Sequence, residues 1–196
     1  MPRSNGSRLV VVVTGTPGTG KSTFARTLAL HIENPSVIEI NDVARELGLY
    51  TGKTWHGSKE VDMKRLASAV KRRIGAAKGL AVVVGHLAPD LGIKCDIAVI
   101  TRLSLKRLVV RLAARKYHAE KIRENIISEA LDYCGLSMDG LASEIYEIEE
   151  RSEYELVKRY ITLRASGKKA TAPKLKSHDK IRALAGMARS GNRYKL

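Results

Sequence analysis

The sequence predicts an α/β fold: a parallel sheet of about five strands with helices on both faces. Three observations predict it. Short, β-branched, continuously apolar runs recur at residues 9–13, 80–84 and 97–100, with a further short strand at 37–40, as in strands buried on both faces. Helical patterns separate these runs; Met63, Leu66, Val70 and Ile74 fall on one face at spacings of three and four. A glycine-rich turn, Gly15 to Gly20, joins the first run to the first helix. Strands alternating with helices imply parallel pairing with crossover helices.

Taken in order, residues 21–32 form the first helix after the glycine turn. Residues 42–48 begin a second, with Asp42 in the position of a cap. Residues 50–59 are polar and turn-rich and hold the only tryptophan, Trp55. The helix from Asp62 is framed at its end by Gly75 and Gly79. Leu105, Leu108, Val109 and Leu112 give the next helix its apolar stripe, with Arg107, Arg111 and Arg115 along another face. A charged segment, 117–125, precedes a helix through Leu131. Residues 145–148 read as a fifth strand and 154–163 as a helix. From Ser166 the character changes: nine Lys and Arg face one acid, Asp179. This predicts a core domain over 1–165 and a basic extension, 166–196, that is flexible when free.

A chain of 196 residues, 44% of them apolar, holds one domain with an appendage. No apolar run is long enough to span a bilayer, and no h-region follows the basic start, so a cytoplasmic protein without membrane contact is expected. Cys95 and Cys134 form no CxxC pair and read as reduced, buried thiols. The five histidines lack the spacing of a zinc site. The net charge of +15 points to a polyanionic partner, with nucleic acid the usual one.

The motif that carries chemistry is Gly15-Thr16-Pro17-Gly18-Thr19-Gly20-Lys21-Ser22. It fulfils G-x-x-x-x-G-K-[ST] in full, after a strand and before a helix. Glycines let the backbone N–H groups curl inward around phosphates, and the helix N-terminus adds positive potential. Lys21 is placed for the β- and γ-phosphates of ATP, the Ser22 hydroxyl for Mg²⁺, and Thr23 for the α-phosphate. Gly15, Gly18, Thr19 and Gly20 shape the loop. The chain is thus expected to be a P-loop NTPase. It carries no N-K-x-D guanine loop and is too short for most AAA-type motors.

Further segments carry a family likeness. Residues 15–23 read GTPGTGKST, 40–50 read INDVARELGLY, 81–90 include VVVGHLAPD, and 111–125 read RLAARKYHAEKIREN. Together they resemble the atypical adenylate kinases of archaea and eukaryotes, the CINAP type, over roughly residues 9–131. The resemblance implies a nucleoside monophosphate (NMP) kinase fold with a short lid near 114–124 and an NMP site near 40–61. It implies ATP plus AMP giving two ADP, possession of ATPase activity, and a monomer. It also implies a part in late maturation of the small ribosomal subunit, by transient contact with ribosomal protein uS11 and with 16S rRNA in the pre-30S particle. Arg115 would close over ATP, Arg45 would take the acceptor phosphate beside Asp42 and Arg111, and His86 would match the family's catalytic histidine.

One position departs from the family. The acid that should end the third strand, two residues before the histidine, is here Val84. A valine cannot hold Mg²⁺ or its water, which leaves Asp42 or Asp90 to substitute. Without a substitute, the chain is a nucleotide-gated binding module with weak catalysis. A P-loop kinase of another small acceptor is the remaining alternative.

Overall fold

The computed structural model describes residues 8–53 and 59–175. Five parallel strands form one sheet in the order β2-β5-β1-β6-β7: β1 (Leu9–Thr14), β2 (Ser36–Glu39), β5 (Leu80–Val84), β6 (Cys95–Thr101) and β7 (Ala142–Ile148). A two-stranded antiparallel hairpin, β3 (Tyr50–Lys53) and β4 (Lys59–Val61), stands apart from it. Trp55 lies outside the described residues.

Strand alternation sorts the core into two layers, because successive side chains point to opposite faces. On one face Val11, Val13, Val82, Val84, Ile97 and Val99 pack on α1 (Lys21–Ala29) and α7 (Arg151–Ala165), through Phe24, Leu28, Val157 and Ile161. On the other, Val12, Ile38, Val83, Ala98 and Ile100 pack on α2 (Ile40–Glu46) and α3 (Met63–Ala76), through Val43, Leu66 and Val70. A small third cluster joins α4 (Leu105–Ala114) to α5 (Ala119–Ala130): Leu108 and Leu112 meet Ile122 and Ile126.

Several sequence expectations change here. Asp42 is not a cap: α2 begins at Ile40, directly off the end of β2, and Asp42 sits inside its first turn. Asp62 does cap α3, accepting the Arg65 N–H at 3.0 Å. The charged segment 117–125 is mostly helix, since Ile122 and Ile126 supply α5 with an apolar stripe among its charges. A short helix, α6 (Tyr133–Leu136), was not legible in the sequence. The ordered body also runs past residue 165: Leu175 is buried in the α1/α7 layer, with Ala170 packed beside it. Among the described residues no helix is long and apolar enough to cross a membrane.

Candidate functional site at the phosphate loop

Strand order places β1 at the centre: the chain leaves it for β2 on one side, and the connection from β5 to β6 later crosses it to the other. Such a switch point opens a crevice at the C-terminal strand ends, and residues 15–20 fill it. Gly15, Gly18 and Gly20 have φ of 138°, 97° and 112°, values that side-chain-bearing residues rarely adopt. At Gly15 a Cβ would also lie 2.4 Å from the carbonyl oxygen of Thr101.

The loop is held from below by buried polar side chains. The Thr19 hydroxyl bonds the Thr16 carbonyl at 2.8 Å and shares a 2.6 Å hydrogen bond with the Thr101 hydroxyl. The Thr19 side chain is therefore committed to the loop's own framework. The Thr16 hydroxyl donates to Glu129 of α5 at 2.5 Å. Glu129 faces Arg102 at 3.7 Å, and Arg102 also bonds Asp132 and, at 3.1 Å, Glu147. Burial opposes the Arg102 charge, but Glu147 and then Asp132 overcome it and keep the guanidinium ionised. Burial pushes the Glu147 carboxyl up, and Arg102 works against that push. One arginine thus ties three acids, two strands and the α5 region to the loop.

Lys21 opens α1, and its ammonium donates to the carbonyls of Gly15 at 2.8 Å and Thr16 at 3.0 Å. Burial lowers its pKa to about 8; the nearby Arg115 lowers it further, while Cys134, Glu129 and Glu39 act in the other direction. Arg115 is the exposed C-cap of α4, and its charge reaches Lys21. Arg111, one turn earlier, donates to the Gly18 carbonyl at 3.1 Å. That placement sets Arg111 with the phosphate loop, whereas the sequence grouped it with the NMP site. His86 follows β5; burial first, then the Lys21 charge, lower its pKa to about 4, which leaves a neutral imidazole at pH 7.

Asp42 and Arg45 form an i,i+3 pair at 3.0 Å, with side chains 50% and 71% exposed. Asp90 is exposed and accepts from the Tyr133 hydroxyl at 2.5 Å. Both acids weighed as replacements for the one missing at Val84 thus already have partners. Cys95 and Cys134 are buried free thiols; burial raises the pKa of Cys95 to about 12 and pushes Cys134 up too.

A cleft of about 780 Å³ opens from the loop. Thr19, Gly20, Thr23 and Phe24 form one wall, Arg107 and Arg111 another, and Glu149, Glu150 and Tyr154 close it at the start of α7. Tyr154 stands edge-on to Phe24 at 5.5 Å and donates to the Thr19 carbonyl at 3.4 Å. The volume is that of a small-ligand pocket.

Magnesium binds hard oxygens, usually one or two carboxylates together with substrate phosphates. The residues around Lys21 fit that demand: Ser22 offers a hydroxyl in the first turn of α1, and Glu39 and Glu129 place carboxylates within reach of the Lys21 charge. Sequence reasoning missed Arg102, Glu129, Glu147, Tyr154 and Glu39. Two of them, Glu39 and Arg102, stand at or just beyond a strand's C-terminal end, which is where ligands of open α/β sheets bind.

Residues 11–132 match the family described as AAA domain, more than half of the chain, and the chain belongs to this family of P-loop NTPases. The length that sets it apart from AAA-type motors does not set it apart from this domain. Its relatives include a "Putative adenylate kinase" of Methanosarcina barkeri, 32% identical over 142 residues, or 71% of this chain and 76% of that one. Another protein of that name, from Methanothermobacter thermautotrophicus, is 32% identical over 151 residues, covering 75% and 84% of the two chains. With these archaeal relatives the chain falls in the P-loop NMP kinase family. Among solved structures, the shikimate kinases of Acinetobacter baumannii and Bacteroides thetaiotaomicron superpose with TM-scores of 0.54 and 0.56 at 17% and 16% identity. They cover 83% and 82% of this chain, and 96% and 99% of their own. Identities that low speak for the fold alone.

Proposed function

We propose that this protein is an NMP kinase that converts ATP and AMP into two ADP, and that it hydrolyses ATP when no acceptor is bound. The observation that carries this reading is the convergence of three cations on one loop. Lys21 bridges it, Arg111 touches Gly18, and the charge of Arg115 is felt at Lys21. Phosphoryl transfer needs positioning and charge neutralisation more than covalent chemistry from the protein. An AMP phosphate oxygen attacks the γ-phosphorus, the bond to the β,γ-bridging oxygen breaks, and ADP departs. Water in place of AMP gives ADP and phosphate. The glycine amides and Lys21 hold the β- and γ-phosphates, and the cleft beneath Arg107 and Arg111 takes the base and ribose. Neutral His86 orients the attacking group, and Arg45 with Asp42 receives the acceptor. Ser22 would help hold the magnesium that comes with ATP, and the ion would supply neutralisation of phosphate charge. A coupled assay with ATP and each NMP in turn, beside ATP alone, tests the reading. AMP should give the fastest ADP formation, and no stimulation by any NMP would overturn the kinase.

The net charge of +15 supports a second part of the proposal. As in the CINAP-type kinases that the sequence resembles, the protein would act in late small-subunit maturation, touching uS11 and rRNA. Basic chains gain affinity from counterion release at phosphates, with steep salt dependence. Truncation after Leu175 keeps the buried leucine and removes residues 176–196. rRNA affinity should then fall and its salt slope flatten; unchanged affinity and slope would remove the extension from this role.

A further inference from the structure

The residue at the usual acid position, Val84, is 1% exposed and sealed in the α1 layer of the core. It belongs to a row across the strand ends: Val13 of β1 pairs with Val84 of β5, and Val84 pairs with Glu39 of β2. Residues in register on parallel strands share a face of the sheet. Glu39 therefore lies on the α1 face, one strand beyond Val84, and α1 begins with Lys21 and Ser22. Adjacent strands are about 4.8 Å apart, and glutamate is longer by one methylene than the aspartate usual at such a site.

Three further observations single out Glu39. Its charge acts on the buried Lys21 ammonium. The two strand ends are packed closely, since a Cβ on Gly85 would lie 3.0 Å from Ile40 Cβ, the residue after Glu39. Its carboxylate is engaged by no hydrogen bond or ion pair among the described residues, whereas Asp42 is paired with Arg45, Asp90 with Tyr133, and Glu129 with Thr16 and Arg102. Glu39 is half-buried at the crevice.

We propose that Glu39 is the carboxylate that holds the divalent cation of bound ATP, supplied from the end of β2 in place of the acid absent at Val84. This rests on the reading of residues 15–22 as the ATP site. With the cation present, Glu39 attracts it; without it, Glu39 repels the phosphates. Removing the charge should therefore move the two affinities in opposite directions, which a purely structural role would not do.

The test is ATP binding by calorimetry with EDTA or with Mn²⁺, and electron paramagnetic resonance of Mn²⁺ in the ternary complex. It compares the full chain with Glu39→Gln, Val84→Asp and the double variant. Glu39→Gln should weaken Mn²⁺ binding in the ternary complex about tenfold or more, and should leave metal-free ATP binding equal or tighter. Val84→Asp alone should change Mn²⁺ affinity less than threefold, and in the Glu39→Gln background it should restore most of the loss. Wild-type Mn²⁺ affinity in Glu39→Gln overturns the proposal. A tenfold gain from Val84→Asp alone also overturns it, and that arm does not depend on the folding of Glu39→Gln. Failure of the wild-type chain to bind ATP under either condition overturns the ATP-site reading itself, and the proposal with it.

Discussion

The phosphate loop and the surface of α2 are built differently. On the phosphate side, Thr16, Thr19 and Thr101 are buried and bonded to one another or to Glu129, and Arg102 anchors that acid from beneath. On α2, Asp42 pairs with Arg45 and Glu46 with Arg73, each at the surface. Exposed pairs contribute at most about 1 kcal/mol, so under the proposed function an acceptor phosphate would readily displace Asp42 from Arg45. Breaking a buried pair leaves a desolvated charge and costs about 3–5 kcal/mol. The phosphate loop is therefore preorganised, while the exposed pairs of α2, the acceptor site of the proposed function, are held only weakly.

The strongest way to break this contrast is Lys21→Ala. Every acceptor depends on the same transferred phosphoryl group, so turnover should fall on the order of 10³-fold with any acceptor, and equally with water. Steady-state rates with AMP and with ATP alone check this; a loss confined to one reaction would show that the loop does not serve both. Next is Arg102→Met, which strands Glu129, Asp132 and Glu147 together. We expect a loss of about 3 kcal/mol in urea unfolding, with weaker ATP binding because Glu129 no longer fixes Thr16. An unchanged midpoint would mean that the network does not hold the loop.

What the sequence revealed follows the same division. The loop was legible because its chemistry lies in eight consecutive residues, and a strand and a helix flank it. The strands of the main sheet were legible in the sequence, although Thr14, Cys95 and Thr101 extend them; the hairpin β3–β4, in a stretch read as polar and turn-rich, was not. The support beneath the loop was not legible. Thr16 meets Glu129 across 113 residues, and Arg102 meets Glu147 across 45. No local pattern marks those pairs. Asp42 has a capping side chain, but β2 runs straight into α2 and leaves it two residues too late. Leu175 was hidden by the lysines around it.

His86 belongs to the buried side, and acid should expose that. Folding lowers its pKa from about 6.5 to about 4, through burial and then Lys21, with Asp90 opposing and Lys121 assisting. The unfolded chain thus takes up a proton near pH 6.5 that the folded one refuses until near pH 4. Stability is full above that window and falls as the pH drops through it, by about 3 kcal/mol. His86→Gln removes this group from the titration. Urea midpoints from pH 7 to pH 4 should fall less steeply in the variant than in the wild type; identical slopes would mean that His86 is solvated.

The smallest effect, and the one that sharpens the contrast most, is expected at Arg45. Its partner is an exposed carboxylate one helical turn away, so Arg45→Ala should cost almost nothing in stability, within about 0.5 kcal/mol. Its loss should appear only when an acceptor binds. KM for AMP should rise about tenfold, the value of one charge-assisted contact near 1.4 kcal/mol, while KM for ATP stays within twofold. Asp42→Asn completes the argument from the other direction. If Asp42 merely competes with the acceptor phosphate for Arg45, freeing the arginine should lower KM for AMP by two- to threefold, since an exposed pair contributes well under 1 kcal/mol. If Asp42 itself binds the acceptor, KM should rise instead. A KM for AMP that ignores both substitutions would move the acceptor site away from α2.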